Sequence, residues 1–151
     1  ILGGGVATAP MALADRADLT RLDAVRQSAE RAYAAAGIQP SEIAVAEVHD
    51  CFSNAEIMCI EAMGLTAGCN PIEAAASGYT ALGGTRPVNT SGGLKAKGHP
   101  VGATGIAQAI EIFEQLRGEA GDRQVEGAHT GAAQNMGGSG ASSVVHIFRR
   151  V

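Results

Sequence analysis

The sequence predicts an α/β fold in which helices cover a mixed sheet of about five strands. Three observations lead to this class. Helical and strand patterns alternate along most of the 151 residues. Residues 43–48 are apolar on both faces, which is typical of an interior strand of a covered parallel sheet. Two further strand patterns, at 124–133 and 142–148, then follow one another with only a glycine-rich connection between them.

The N-terminal third contains one predicted strand end and one predicted helix. Ile1 and Leu2 are interpreted as the end of a strand. Thr20 and Asp23 resemble a capping box at a helix start, and Gly37 supplies a left-handed helix end. The apolar residues between them recur at helical spacing and are expected to face the core: Leu22, Val25, Ala29, Ala32, Tyr33 and Ala36.

The strand at 43–48 ends in His49-Asp50-Cys51-Phe52, and a second helix is predicted to follow. Ser53 and Glu56 form a capping box at its start, and Gly64 closes it. Residues 65–87 are rich in glycine and alanine and have little periodicity. They are expected to form a long loop with one short helix.

Residues 89–105 place five glycines, one histidine and one proline at the start of a long apolar helix. Glycine costs backbone entropy and contributes no packing, so such a segment is expected to approach a ligand closely. The helix is predicted to begin at Pro100 and to end at Gly118. Its core face is expected to consist of Ile106, Ile110, Phe113 and Leu116.

The composition indicates one globular domain, with 46% apolar and 17% charged residues. The net charge of -4 argues against nucleic acid as a partner. No apolar run approaches the roughly 20 residues of a membrane span. The three cysteines form no Cys-x-x-Cys pair, which favours a reduced, cytoplasmic setting. The start of the chain has neither an initiator Met nor a signal-peptide pattern, which favours a fragment of a longer protein.

His99 is the first candidate for chemistry, because it lies among glycines just before a helix start. The unpaired N–H groups and partial positive charge of a helix start favour a neutral imidazole. Such a group can accept a proton or donate a hydrogen bond to a carbonyl. The alternative is a capping or packing histidine, the commoner role of a lone histidine.

Cys51 is the second candidate. It follows the carboxyl end of a buried strand, where open α/β sheets bind ligands, and it precedes a helix whose dipole favours a thiolate. It would serve as a nucleophile or a proton carrier, or else it is a small buried hydrophobic residue. Cys59 and Cys69 lack this setting and are expected to lie in the core and in a loop, respectively.

The glycines at 134–140 leave two interpretations open. They either make a hairpin turn or aim backbone N–H groups at a developing oxyanion. The histidines His99, His129 and His146 have no metal-ligand spacing, so no metal site is predicted. No phosphate-binding loop motif is present either.

Three separated motifs carry a resemblance to one family. Asn89-x-Ser-Gly-Gly-x4-Gly-His-Pro-x-Gly-Ala-Thr-Gly resembles the C-terminal signature of thiolases. His49-Asp50-Cys51-Phe52 is similar to a motif of the sterol-carrier-protein type and of its archaeal and bacterial acetoacetyl-CoA thiolase relatives. Asn-Met-Gly-Gly-Ser-Gly at 135–140 resembles the glycine loop of the same branch.

The resemblance implies a fold and a reaction. Thiolases contain two similar βαβαβαββ halves whose helices form a shared layer between two sheets. Residues 1–151 resemble the C-terminal half, without the N-terminal half that bears the nucleophile. The implied activity is that of an acetyl-CoA C-acyltransferase: Claisen condensation of two acyl-CoA molecules, or cleavage of a 3-ketoacyl-CoA by CoA. CoA thioesters are then substrates, with no bound cofactor. A cytoplasmic homodimer and a small OB-fold/zinc-ribbon partner protein are also implied.

The resemblance also implies roles for individual residues. His99 would activate the nucleophilic thiol, His49 would stand where most thiolases have an oxyanion-hole Asn, and Cys51 would move the α-proton. Gln134 replaces a histidine that is common in the branch. None of the three cysteines matches the acylated cysteine of the family, so the chain alone is expected to be inactive. The implied oxyanion and loop positions are Asn89, Gly98, Asn135 and Gly137.

Two other functions stay open. A thiolase-fold aldolase would cleave a 3-hydroxyacyl-CoA without an acyl-enzyme. Asn135-Met136-Gly137 keeps this alternative open, because most thiolases have Cys-x-Gly at these positions. The other alternative is a non-catalytic lipid-transfer or scaffold module in a larger acyl-CoA complex.

Overall fold

A computed structural model describes all 151 residues and contains one mixed four-stranded sheet. The strands lie in the order β1-β4-β3-β2 across the sheet, where β1 and β3 pair antiparallel with β4 and β2 pairs parallel with β3. The predicted α/β class with a mixed sheet is therefore confirmed. The strands are β1 (Gly3–Thr8), β2 (Val45–Glu47), β3 (Thr130–Gly137) and β4 (Ser142–Arg149).

The sheet has one strand fewer than the predicted number of about five. Val88 lies where a fifth strand would pair, at the free edge of β2, and forms a single parallel bridge with Ala46. Two backbone hydrogen bonds support this bridge, from Ala46 N–H to the Pro87 carbonyl and from Asn89 N–H to the Ala46 carbonyl. The glycine-rich segment that follows is therefore anchored beside β2.

Five helices and three 3-10 turns complete the chain. No helix has both the length and the apolar character needed to cross a membrane. The helices are α1 (Asp23–Ala36), α2 (Ser53–Ala62), α3 (Pro71–Ala76), α4 (Gly93–Lys97) and α5 (Thr104–Arg117). The 3-10 turns are Leu13–Asp15, Pro40–Glu42 and Gly121–Arg123.

Helices α1 and α5 cover the sheet from opposite sides. Helix α1 packs on β1 and β4, and its apolar residues join those of α2 and the strands in the larger core, which includes Ile43, Ile60 and Ile147. Helix α5 packs on β3 and β2 around a smaller core centred on Val45 and Ile112. The apolar core on the α5 side of the sheet is therefore much smaller than the core on the α1 side.

The core face predicted for α1 is confirmed. Leu22, Val25, Ala29, Ala32 and Tyr33 are buried, and Ala36 is partly buried. Gly37 ends the helix in the left-handed region at φ 66°, as predicted. The predicted cap at Thr20 is wrong, because Asp18 accepts hydrogen bonds from both the N–H and the hydroxyl of Thr20 in a turn before the helix.

The capping box predicted for α2 is also wrong. The capping residue is Phe52, and neither Ser53 nor Glu56 makes a capping hydrogen bond at this helix start. Cys51 therefore directly precedes the capping residue Phe52. With Ser53 as the cap, as predicted, Cys51 would have been two residues before it. Gly64 follows the helix in the left-handed region at φ 70°, as expected for a helix end.

Strand β1 extends over the glycines that follow Ile1 and Leu2, where no strand was predicted. Its glycines are needed because α1 lies almost against the backbone. A Cβ at Gly5 would lie 2.1 Å from the carbonyl oxygen of Ser28, and one at Gly3 would lie 2.7 Å from the backbone nitrogen of Ala36. Strand β3 begins at Thr130 rather than at 124 and continues to Gly137.

The core face predicted for α5 is wrong except at Leu116. Ile106, Ile110 and Phe113 are 64%, 52% and 55% exposed, and the helix begins at Thr104, four residues after Pro100. The side chains that turn towards the sheet are largely polar: Thr104, Gln108, Glu111 and Gln115, together with Ile112 and Leu116.

Hydrogen bonds explain why the polar face of α5 is buried. Gln108 donates to the Gln134 carbonyl at 2.9 Å, and Gln115 donates to the Arg123 carbonyl at 2.6 Å. Glu111 pairs with Arg123 at 2.9 Å. A buried polar group is tolerated when its hydrogen bonds are satisfied. The apolar stripe of α5 therefore points away from the sheet and is uncovered in this chain.

Candidate functional site

His49 and His99 lie together at the carboxyl end of β2. Their ring centroids are 4.8 Å apart and their planes meet at 85°, an edge-to-face contact. His49 follows β2 by two residues and is buried, whereas His99 is exposed and follows α4 by two residues. The fold thus joins two sequence motifs that are far apart along the chain.

Thr104 contacts Nδ1 of the His99 ring. Its Oγ1 lies 2.7 Å from His99 Nδ1 and 3.3 Å from the Pro100 carbonyl oxygen. When the hydroxyl donates to this carbonyl, Nδ1–H of His99 donates to Oγ1, and Nε2 is the ring nitrogen that can accept a proton. Thr104 has this position because it is the first residue of α5.

The environment of His49 favours its neutral form. Burial lowers the pKa of His49 from its ordinary value of 6.5, and the neighbouring His99 acts in the same direction. The side chain of Asn135 and the carboxylate of Asp50 oppose this shift. Nδ1 of His49 is buried without a hydrogen-bond partner in this chain, which is unusual for a buried polar atom.

Cys51 lies two residues beyond His49 and directly before the first turn of α2, half-buried. All three cysteines are free thiols. Cys59 is fully buried, and burial raises its pKa, while Cys69 is exposed in a loop. The predicted core and loop positions of these two cysteines are confirmed. The Cys59 thiol lies 4.0 Å from the His49 carbonyl oxygen, and Cys51 is two residues from His49 along the chain.

Asn89 and Gly98 shape the two ends of the segment that leads to His99. Asn89 has a left-handed backbone at φ 54°, and its Oδ1 accepts the Val48 N–H at 2.8 Å. Its Nδ2 is buried without a partner. Gly98 has φ 91° and ψ 168°, a conformation that only glycine adopts readily. Asn89 therefore ties this segment to the end of β2, and Gly98 turns the chain out of α4 towards His99.

Asn135 and Gly137 lie on β3, on the side of the sheet that α5 covers. The Asn135 amide nitrogen lies only 2.7 Å from where a Cβ at Gly105 would stand. Asn135 also interacts with His49, while Gly137 is exposed at the end of the strand, before the turn. Residues 134–137 therefore belong to the strand, and only the turn after Gly137 makes the hairpin.

A groove of about 660 Å³ runs between α5 and the strands β3 and β4. Asn135, Gly137 and Gly105 line one part of it, and apolar side chains, including Ile106 and Val144, line most of the rest. His49, Cys51 and His99 do not line it. Of the predicted site residues, Asn135 and Gly137 line this groove.

Gln134 has a structural role on the opposite side of β3. Its Oε1 accepts the His49 N–H at 3.0 Å, and its Nε2 donates to Ser143 Oγ at 3.3 Å. The side chain is fully buried. Gln134 therefore holds the backbone of His49 in place and does not present a polar group to the site.

Sequence reasoning missed Thr104, Glu47 and Asp50, which all contact the glycine-rich segment or His99 itself. Glu47 and Asp50 are buried carboxylates that accept hydrogen bonds from residues 91–97. One signal was available in the sequence: a glutamate inside an otherwise apolar strand, which is rarely buried without a partner.

Comparisons with known proteins agree on one family. Residues 5–150 match the family model described as "Thiolase C-terminal domain-like". The chain is 51% identical over 144 residues to an acetyl-CoA acetyltransferase of Methanothermobacter thermautotrophicus, covering 95% of this chain and 38% of that protein. It is 46% identical over 127 residues to sterol carrier protein 2 of Oryctolagus cuniculus, covering 84% and 23%.

A solved structure has the same fold. The protein named Ltp2-ChsH2(DUF35) aldolase matches with a TM-score of 0.82 and 21% identity, over 98% of this chain and 38% of that one. At this identity the match shows the fold alone. The chain spans 38% or less of the length of each of these three proteins.

Proposed function

The chain belongs to the thiolase family as its C-terminal domain, and from this premise we infer that it forms the C-terminal half of an acyl-CoA thiolase. The whole protein would be an acetyl-CoA C-acyltransferase. It would condense two acyl-CoA molecules or cleave a 3-ketoacyl-CoA with CoA. The contact between His49 and His99, with Cys51 two residues after His49 in the chain, is the observation that carries the proposal.

In the first step, His99 acts as the base. Its Nε2 takes the proton of a nucleophilic thiol that we assign to the missing N-terminal half. The thiolate attacks the thioester carbonyl of an acyl-CoA, the acyl–sulfur bond of CoA breaks, and CoA leaves as a thiol after regaining the proton from His99. The contact between His99 Nδ1 and Thr104 Oγ1 supports this role, because it occupies Nδ1 and leaves Nε2 to face the thiol.

In the second step, Cys51 acts as the proton carrier. Its thiolate takes the α-proton of a second acyl-CoA, and the resulting carbanion attacks the acyl-enzyme carbonyl. A carbon–carbon bond forms and the bond to the nucleophilic sulfur breaks, and this sulfur leaves as a thiolate that regains a proton from Cys51. Cleavage of a 3-ketoacyl-CoA by CoA follows the same steps in the opposite direction. His49 and the N–H of Gly137 would hold the thioester oxygens, with Asn89, Gly98 and Asn135 shaping the site. A neutral His49 suits this task, because it can donate one hydrogen bond while it keeps a free nitrogen.

The uncovered stripe of α5 supports the assignment of a second half. Val101, Ile106, Ile110 and Phe113 are all exposed, and large apolar patches of this kind mark interaction surfaces. We propose that the N-terminal half packs on them. The chain alone should therefore self-associate and should form no acyl-enzyme with acetyl-CoA. A clean monomer in light scattering at high concentration, or an acylated chain in mass spectrometry, would contradict these expectations.

We also propose the finer features that the resemblance implies. The substrates are short or branched CoA thioesters, with no bound cofactor, and the protein is a cytoplasmic homo-oligomer. A small OB-fold/zinc-ribbon protein would be its partner, and the paired name of the Ltp2-ChsH2(DUF35) aldolase supports the idea of a partner. Affinity purification of the full-length protein from its own cells tests the last point, and recovery of the full-length protein without any such partner would contradict it.

The main test uses the full-length protein with a 3-ketoacyl-CoA, with and without CoA. A thiolase cleaves the substrate only when CoA is present, since CoA is the acyl acceptor. An aldolase needs no CoA and cleaves a 3-hydroxyacyl-CoA instead. Asn135-Met136-Gly137 in place of Cys-x-Gly favours this second candidate, but the pairing of His49 with Cys51 favours the thiolase.

The non-catalytic candidate is a lipid-transfer or scaffold module, which the name of the sterol carrier protein 2 relatives supports. Replacing Cys51 with alanine in the full-length protein tests it. A thiolase should lose orders of magnitude in rate, whereas a scaffold would be unaffected. Cys69→Ala is the matched control, because Cys69 is an exposed loop residue away from the histidine pair.

A further inference from the structure

Two buried carboxylates at the end of β2 hold the segment that precedes His99. Glu47 is the last residue of β2, and Asp50 follows it by three residues. Both are almost completely buried. A buried carboxylate is costly unless hydrogen bonds or an opposite charge compensate it. The groups that compensate these two carboxylates come from residues 91–97.

Asp50 binds the start of α4. Its Oδ1 accepts the Leu94 N–H at 2.7 Å, and its Oδ2 accepts the Lys95 N–H at 3.4 Å. Gly93 leaves the space for this contact, because a Cβ there would lie 2.1 Å from Asp50 Oδ2. Gly93 also has a left-handed backbone at φ 62°, which a side chain would strain. The carboxylate and the glycine are therefore complementary.

Glu47 binds both ends of the same segment. Its Oε2 accepts the Ser91 hydroxyl at 2.6 Å, and its Oε1 accepts the Ser91 N–H at 3.1 Å. Lys97 reaches Glu47 Oε2 at 3.4 Å and donates to Ser91 Oγ at 2.6 Å. Burial raises the pKa of Glu47, and Ser91 and Lys97 oppose the shift. Glu47 thus joins Ser91, two residues before α4, to Lys97, the last residue of α4.

Helix α4 has only five residues, too few for a helix to be stable by itself. Its last residue is followed by Gly98 and then by His99, so the position of α4 sets the position of the imidazole. Neither carboxylate contacts His99 directly among the observed hydrogen bonds. Their hydrogen bonds therefore reach His99 through α4, while Asp50 also adjoins His49, whose ring contacts His99.

We propose that Glu47 and Asp50 are positioning residues, which fix α4 so that His99 is held against His49 with its Nε2 free. This inference rests on the proposed function, in which His99 takes the proton of the nucleophilic thiol. Loss of either carboxylate should then move the imidazole and slow the chemical step more than it weakens substrate binding.

The experiment compares three variants of the full-length protein with a control. Asp50→Ala removes both acceptors, Asp50→Asn keeps an oxygen for the Leu94 N–H, and Glu47→Gln changes the second carboxylate. The matched control is Asn70→Ala, because Asn70 Oδ1 caps α3 in the same manner, accepting the N–H groups of Ile72 and Glu73. The two readouts are steady-state kinetics and the ¹⁵N imidazole spectrum, in which His99→Asn identifies the His99 signals.

Asp50→Ala is expected to lower kcat about 100-fold, with KM changed less than about threefold. Asp50→Asn should recover most of the lost rate. The Nδ1–H signal of His99 should shift or broaden in Asp50→Ala and in Glu47→Gln, and stay unchanged in Asn70→Ala. If Asp50→Ala does not fold, Glu47→Gln and Asp50→Asn provide the same comparison.

The proposal is overturned if the His99 signals of Asp50→Ala and Glu47→Gln match the wild type, or if Asn70→Ala lowers kcat as much as Asp50→Ala. The spectrum also separates the two hypotheses. A wild-type protein without thiolase activity would refute the proposed function, yet the His99 signals would still decide whether the two carboxylates position this ring.

Discussion

Replacing Ile110 and Ile112 with alanine, one at a time, tests which face of α5 the chain itself covers. The two residues are of the same type and lie two positions apart on the same helix. Ile112 is fully buried against β2 and β3, whereas Ile110 is 52% exposed. The sequence pattern predicts the opposite arrangement at Ile110, so this pair separates the pattern from the structure.

The magnitudes follow from the burial of each side chain. Replacing isoleucine with alanine removes three carbons, about 2.4 kcal/mol at about 0.8 kcal/mol per buried carbon. A cavity adds to this at Ile112, so its cost should lie between about 3 and 5 kcal/mol. Ile110 is already half exposed and leaves no cavity, so its cost in the chain alone should be about 1 kcal/mol.

Urea unfolding of the 151-residue chain provides the assay, at a concentration low enough for the chain to be monomeric by light scattering. Equal slopes are required so that the midpoints report stability. The same two variants are then made in the full-length protein. There, Ile110→Ala should cost at least about 2 kcal/mol, because the N-terminal half would bury that side chain. Equal costs for the two variants in the chain alone would refute the observed orientation of α5. A cost at Ile110 that stays small in the full-length protein would refute the proposed covering half.

Three further outcomes are expected. Gly105→Ala places a methyl group 2.7 Å from the Asn135 amide nitrogen, so kcat of the full-length protein should fall about 10-fold or more; an unchanged kcat would show that Asn135 can move without consequence. Thr104→Val removes the partner of His99 Nδ1 and should lower kcat about 10- to 100-fold. Thr104→Ser keeps the hydroxyl and should have a kcat close to that of the wild type. Equal rates for the two variants would contradict the role of this hydroxyl in holding His99. Burial lowers the pKa of His49 below 6.5, so the unfolded chain binds this proton more tightly and stability should be lost as the pH falls from about 6.5 through the folded-state pKa. Urea titrations between about pH 7.5 and 5.5 should show a smaller loss for His49→Asn, and an identical pH dependence would argue against this shift.

Local signals predicted the parts of the fold that depend on local chemistry. The apolar spacing from Leu22 to Tyr33 identified the buried face of α1, and Gly37 and Gly64 identified helix ends, because their left-handed backbones favour glycine. Capping boxes were less informative. Thr20 found a nearer partner in Asp18, and Ser53 became a helical residue, since polar side chains at a helix start have several local alternatives.

The residues of the candidate site were predicted from the sequence, but their contacts were not. His49, Cys51 and His99 were selected from motif and context, and the structure brings the two histidines into contact. The sequence pattern placed Gln134 in a glycine-rich loop. In the structure it lies in β3, and its side chain accepts the His49 N–H. Thr104 was not selected because a threonine five residues after a histidine has no distinctive pattern.

The sequence by itself determined the α/β class, the face of α1 and the glycine ends of the helices. These depend on side-chain periodicity and on backbone preferences that act over a few residues. Only the tertiary structure decided that α5 turns its polar side to the sheet. A periodic pattern shows that one face of a helix is apolar, but not which surface will cover it. Only the tertiary structure, too, placed Asp50 against Gly93 and His49 against His99, because residues distant in the chain meet only through the packing of the whole domain.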